Sequence, residues 1–178
     1  MPMEETVSEL TEGIDSLIER IGLYLPIYRG YKEQNLRRDE DRAVRQELVL
    51  TLEGVKEDAG IIREASAESV DLMIDVDRID NKLNGFLEVV REVVNGYSGW
   101  HASANDLEDR LSELVSWDAK LIDGTVLLRK SIVCLAQKID MGEYAIMTPL
   151  RNIEKILDRL IEDYNGREAA MKGFLKEN

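Results

Sequence analysis

The stretch Leu107–Ile139, LEDRLSELVSWDAKLIDGTVLLRKSIVCLAQKI, decides the fold. Leu107, Leu111, Leu114, Leu121, Leu128, Ile132, Leu135 and Ile139 return at steps of three, four and seven residues, the period of one helix face. No proline interrupts the run, so it predicts one long amphipathic helix. Two polar residues stand in its apolar seam. Asp118 falls midway between Leu114 and Leu121, and Thr125 follows one turn beyond Leu121. A carboxylate in such a position is costly unless paired, so Asp118 predicts an arginine partner.

Upstream, the same period recurs. Val7, Leu10, Ile14, Leu17, Ile18, Ile21 and Leu25 predict a helix from about Glu4 to Leu25, broken by the connector Pro26-Ile27-Tyr28-Arg29-Gly30. A second helix is expected from about Tyr31 to Ala65, with Val44, Leu48, Leu52, Val55, Ala59 and Ile62 on its stripe. Ser66 or Ser69 then caps a third, carrying Leu72, Val76, Ile79, Leu83, Phe86, Val90 and Val94 and ending at Asn95-Gly96. Downstream, Met141-Gly142 ends the quoted helix. Ile146, Leu150, Ile153, Leu157, Leu160 and Tyr164 mark the last one, with Thr148 expected to cap Pro149.

The four long helices would each span roughly 40–50 Å at about 1.5 Å per residue, and their short joints favour antiparallel neighbours. The expected fold is all-α. It is an up-down-up-down antiparallel four-helix bundle with an additional N-terminal helix, packed in coiled-coil fashion because the apolar steps average near 3.5. One domain spans residues 1–178, with the N-terminal helix and connector in 1–30 and the long helices in 31–178.

Stepping the second helix's stripe back from Leu48 and Val44 lands on Asp41 and Arg37. In an antiparallel stack this level also holds Asp118 and Tyr164. A buried or half-buried polar layer is therefore expected, with Arg45 or Arg37 pairing Asp118. Such a layer either fixes helix register or lines a ligand or catalytic pocket with Tyr97, Trp100 and His101 nearby. The candidate cluster is Arg37, Asp41, Arg45, Tyr97, Trp100 and Asp118. The surrounding run Arg37–Arg45 interleaves acids with Arg38, Arg42 and Arg45, which share one face and read as solvated or ion-paired.

The segment Leu23–Tyr31 around the connector holds half of the six tyrosines, and Tyr24, Ile27, Tyr28 and Tyr31 are the candidate interface. Core packing, a protein–protein contact and a membrane-surface patch are the alternatives there.

The chain carries net charge −13, with a pI near 4.6, which repels phosphate backbones and argues against nucleic acid as a partner. The acidic N-terminus lacks the apolar core of a signal peptide, and no stretch of about 18 apolar residues exists to span a membrane. A cytoplasmic setting is expected. The single Cys134 lies in an apolar run and reads as a buried thiol. One histidine, His101, excludes paired Glu-x-x-His and His-rich zinc sites. Asp71, Asp75, Asp77 and Asp80 lack the EF-hand glycine and terminal glutamate and read as a solvated face. Phosphate-binding and nucleophile-elbow motifs are absent, so no metal and no cofactor is expected.

Two stretches, GYKEQNLRRDEDRAVR (Gly30–Arg45) and GYSGWHASANDLEDRLSELVSWDAKLID (Gly96–Asp123), resemble a family of all-helical prokaryotic proteins with no established activity. The residues that carry the resemblance are Gly30-Tyr31, Arg37, Arg38, Asp41, Arg45, Gly96-Tyr97, Gly99-Trp100 and Trp117-Asp118. The resemblance implies helices and no reaction, and it singles out the polar residues already marked by periodicity.

The first functional expectation is a non-enzymatic scaffold or adaptor that meets a protein partner or a second copy of itself. The alternative is a ligand-binding or enzymatic bundle built on the Arg/Asp cluster. A membrane-surface module docking through Leu23–Tyr31 is a weaker third.

Overall fold

The computed structural model describes residues 13–92 and 106–175. Among these the chain forms five helices and no strand. Helix α1 covers 13–22. A single 3-10 turn, Gln34–Leu36, leads into α2 (Arg37–Ser66), followed by α3 (Val70–Arg91), α4 (Leu107–Asp140) and α5 (Met147–Leu175). The apolar stripes turn inward. Val44, Leu48, Leu52, Val55, Ala59 and Ile62 are buried on α2, and Leu114, Leu121, Leu128, Ile132 and Leu135 on α4. No described helix is long and apolar enough to cross a membrane.

The helix ends depart from the sequence expectations in instructive ways. Helix α2 starts at Arg37 rather than Tyr31, because Tyr31 takes a left-handed backbone (φ 62°) straight after Gly30 (φ 72°). Ser69 occupies the N-cap of α3 with extended backbone, but its hydroxyl makes no capping bond. Ser66 instead bonds back to the Arg63 carbonyl (2.7 Å). Helix α4 closes as a Schellman motif, with Gly142 N–H donating to Ile139 O (2.9 Å) and Glu143 N–H to Lys138 O (3.0 Å). Helix α5 opens at Met147, ahead of Pro149. Proline is harmless there because the first four N–H groups of a helix lack intrahelical partners.

Two surface readings are corrected. Cys134 is exposed, on the solvent side of α4 between the inward-facing Ile132 and Leu135. Asp75 is buried at the flank of α3, where it pairs with Arg78 (2.8 Å), and Asp80 pairs with Arg63. The acidic face of α3 is thus ion-paired in part.

Contacts gather the chain into two compact units. The first comprises the described residues of Met1–Gln46, Val94–Ile122 and Asp163–Asn178, and the second those of Glu47–Val93 and Asp123–Glu162. The first holds the connector and the polar residues of interest. In the second, Asp75 lies 3.9 Å from Arg151, Arg78 bonds Glu154 (2.7 Å), and Lys82 bonds Glu154 (2.7 Å) and Asp158 (2.6 Å). These pairs ascend together along both helices, so α3 and the opening of α5 run parallel there.

Candidate functional site

Three helices and the connector converge within the first unit on the guanidinium of Arg167, which is fully buried. From α5, its Nε donates to Asp118 Oδ1 on α4 (2.6 Å), and its Nη2 donates to the Tyr31 hydroxyl (3.0 Å). Nη2 also lies 2.8 Å from Asp41 Oδ1 on α2. That approach is off the hydrogen-bond axis and acts as an ion pair, since Asp41 Oδ1 accepts no hydrogen bond. The second oxygen of Asp118 accepts from both Tyr28 and Tyr31 hydroxyls, each at 2.6 Å. Asp118, itself fully buried, therefore accepts three hydrogen bonds.

A second arginine extends the network. Arg45 Nε donates to Asp41 Oδ2 (3.2 Å), Nη2 to Glu168 Oε1 (2.7 Å) and Nη1 to the Tyr164 hydroxyl. Glu168 also lies 3.5 Å from Arg167 Nη1, so it is shared between the two guanidiniums. Arg37, at the head of α2, donates its Nε to the Tyr31 carbonyl (2.7 Å). Glu40, buried one turn along, accepts the backbone N–H groups of Arg29 and Tyr31 (3.1 Å for the latter). A carboxylate thus grips the backbone of the connector while two tyrosine hydroxyls grip a carboxylate across from it. The Tyr28 and Tyr31 rings meet edge to face, 5.4 Å apart.

The electrostatics follow from burial and pairing. Burial first, then the charge of Asp118, pushes the Tyr28 and Tyr31 hydroxyls far above their ordinary range, so both stay protonated. Burial, partly opposed by Arg45, pushes Tyr164 up to about 12. Burial alone would lower Arg167, but Asp118, Tyr31 and Asp41 more than reverse it, and the guanidinium stays charged. Arg45 is likewise raised, with Asp41 overcoming burial. Glu40 is raised by burial, with the two N–H bonds pulling the other way. Arg37 is lowered by burial.

The structure therefore brings Arg37, Asp41, Arg45 and Asp118 into one cluster with Tyr164. Tyr97, Trp100 and His101 lie outside the described residues. The expected partner of Asp118 is corrected: Arg167 holds it, while Arg45 turns to Asp41, Glu168 and Tyr164, and Arg37 to a carbonyl. Arg167, Glu168, Glu40, Tyr28 and Tyr31 were not anticipated in the cluster. For Arg167 a signal existed, since the α5 stripe Leu157, Leu160, Tyr164 continues to Arg167 and Met171 at helical steps. The candidate interface splits. Tyr28 and Tyr31 are buried as anchors, because their hydroxyls are taken by Asp118, whereas Tyr24 and Ile27 are exposed beside Leu23. The shared face of Arg38, Arg42 and Arg45 is also divided, with Arg45 buried and the other two exposed.

Among the described residues no group of three or more His, Cys, Asp or Glu is arranged to hold a metal ion. Comparison with family models, with curated proteins and with solved structures returns no match for the chain.

Proposed function

We propose that the protein is a non-enzymatic helical scaffold or adaptor, in which the Arg167 cluster holds the α1–α2 connector in the form that a protein partner meets. In this reading the helices assemble as an up-down-up-down antiparallel four-helix bundle preceded by the N-terminal helix. The exposed free thiol of Cys134 suits a reducing, cytoplasmic setting.

One observation carries the reading: the cluster's polar groups are directed at one another and at the connector. Asp118 holds Arg167, Tyr28 and Tyr31, and Glu40 holds the Arg29 and Tyr31 amides. This holds Tyr28 and Tyr31 inward and the Arg29 backbone in place, and leaves Leu23, Tyr24 and Ile27 outward. Rigid aromatic and aliphatic side chains on a preorganised loop lose little entropy on association.

The test is affinity purification of the full chain from native extract, with light scattering on the purified protein. A protein recovered in fixed stoichiometry, or a defined oligomer, is expected, and Tyr24→Ala with Ile27→Asp should abolish it. Those surface changes should leave the melting temperature within about 2 °C. A monomer without partner, or recovery indifferent to the double substitution, overturns the reading.

One observation favours the alternative, a small-ligand-binding or enzymatic bundle. Glu40 Oε2 and Arg167 Nη1 are buried and make no hydrogen bond. A small molecule that raises the melting temperature of the wild type but not of Glu40→Gln would support that second reading.

A further inference from the structure

The leading end of α3, in the second unit, carries a different surface. Val70, Met73 and Ile74 stand at i, i+3 and i+4, one continuous helical face, and are 72%, 44% and 56% exposed. Their exposure follows from register. Arg63, three residues before the end of α2, pairs with Asp80, ten residues into α3, and Glu53 pairs in turn with Arg91. An arginine side chain spans about one turn, so the opening turn of α3 extends past the end of α2. The parallel ladder from Asp75–Arg151 to Lys82–Asp158 sets the start of α3 level with the start of α5. The α4–α5 connector, just ahead of α5, adds Met141 and Tyr144 at this same end, both strongly exposed.

Charge around this apolar end is mainly acidic, with Lys138 in the last turn of α4 as the base beside it. Along the α3–α5 seam the carboxylates are neutralised, with Asp75, Glu154 and Asp158 held by Arg78, Lys82 and Arg151. At the end itself Glu68, Asp71 and Asp77 flank the α3 face, and Asp140 and Glu143 flank Met141 and Tyr144. All five are exposed, and among the described residues none makes an ion pair. Apolar surface of this kind, rich in methionine and rimmed by unneutralised carboxylates, complements an amphipathic helix whose polar face is basic. A second copy of this end would set like charges against each other.

We propose that the leading end of α3, with the α4–α5 connector, is a docking surface for a basic amphipathic helix of another protein. The apolar face of that helix lies on Val70, Met73 and Ile74, and its lysines or arginines meet Glu68, Asp71, Asp77 and the connector acids. This surface belongs to the second unit and the Leu23–Ile27 face to the first. Failure of either proposal leaves the other standing.

The test uses the full chain and a labelled 18-residue helical peptide of leucine and lysine in amphipathic order, read by fluorescence anisotropy. A leucine–glutamate peptide of the same pattern serves as its inverse. Saturable binding of the lysine peptide is expected, weakened at least tenfold by Met73→Asp with Ile74→Asp and by Glu68→Lys with Asp71→Lys. Glu57→Lys with Glu88→Lys, an equal charge change elsewhere on exposed helix positions, should shift affinity less than twofold. Three results overturn the proposal: no binding, equal binding of the glutamate peptide, or equal loss in the Glu57/Glu88 control, which marks general charge attraction. Concentration-dependent self-association abolished by Ile74→Asp also overturns it, since a second copy then covers the face.

Discussion

At the scale of the residue, Arg167 and Asp118 explain one another. A lone buried ion is expensive, and breaking such a pair from one side costs about 3–5 kcal/mol. Arg167→Met leaves Asp118 without a cation and Asp41 with Arg45 alone, so the melting temperature should fall by roughly 6–20 °C at about 2–4 °C per kcal/mol. Arg167→Lys should rescue little, because a point ammonium cannot serve Asp118, Asp41 and Tyr31 in the geometry of a planar fork. A loss below 2 °C in thermal denaturation of Arg167→Met would deny the cluster its structural role. Tyr164 gives a pH signature. Its folded value of about 12 lies above the unfolded value near 10, so its contribution is intact below pH 10 and is lost as pH rises through 12. Denaturant titrations at pH 9 and pH 11 should show that loss, and Tyr164→Phe should reduce it. Asp118 was legible from sequence because a charge in an apolar seam is conspicuous. Its true partner was harder to see. Arginine reaches across several turns, so spacing shows that a partner is needed without showing which of several arginines supplies it.

At the scale of the element, the stripes of α2, α4 and α5 were legible because burial imposes a 3.6-residue period on composition. The helix ends were less so. Gly30 and Tyr31 both take left-handed backbone, which costs a tyrosine about 1–2 kcal/mol and persists only because Asp118, Arg167 and Glu40 hold that residue in place. Nothing local announces this, since the restraining groups come from helices far along the chain. Gly30→Ala should destabilise measurably, by about 1–3 kcal/mol in denaturant titration. A Cβ there would stand 2.5 Å from Ile18 Cδ1 on a backbone that disfavours it. Gly166 serves α5 in a different way. A Cβ would enter the Trp117 ring at 2.5 Å, so the bare backbone is what lets α5 pass this side chain of α4. Between α3 and α5, Arg78 and then Lys82 hold Glu154 down to about 2. Its stabilisation is present above the unfolded value near 4.3 and is lost as pH falls towards 2. Acid titration of stability should therefore flatten in Glu154→Gln, and an unchanged acid limb would remove that bridge from the stability of the second unit.

At the scale of the whole molecule, net charge −13 and the sorted carboxylates make the same point. Around Arg167 and along the α3–α5 seam acids are paired; beside the outward apolar side chains of α3 and the α4–α5 connector, Glu68, Asp71, Asp77, Asp140 and Glu143 make no ion pair among the described residues. The two exposed faces differ in character, one apolar and aromatic beside Arg20 and Arg29, the other apolar and acid-rimmed. Composition made the acidity plain. The sorting depends on which turn of which helix extends past its neighbour, and sequence alone does not carry that.

Amide hydrogen exchange on full-length Asp118→Asn measures the anchoring most directly. If the cluster is what fixes the connector, the Arg29 and Tyr31 amides held by Glu40 should lose protection at least a hundredfold more than the α3 core amides of Ile79–Phe86. Unchanged protection at Arg29 and Tyr31, or a loss spread evenly over connector and α3, would contradict it.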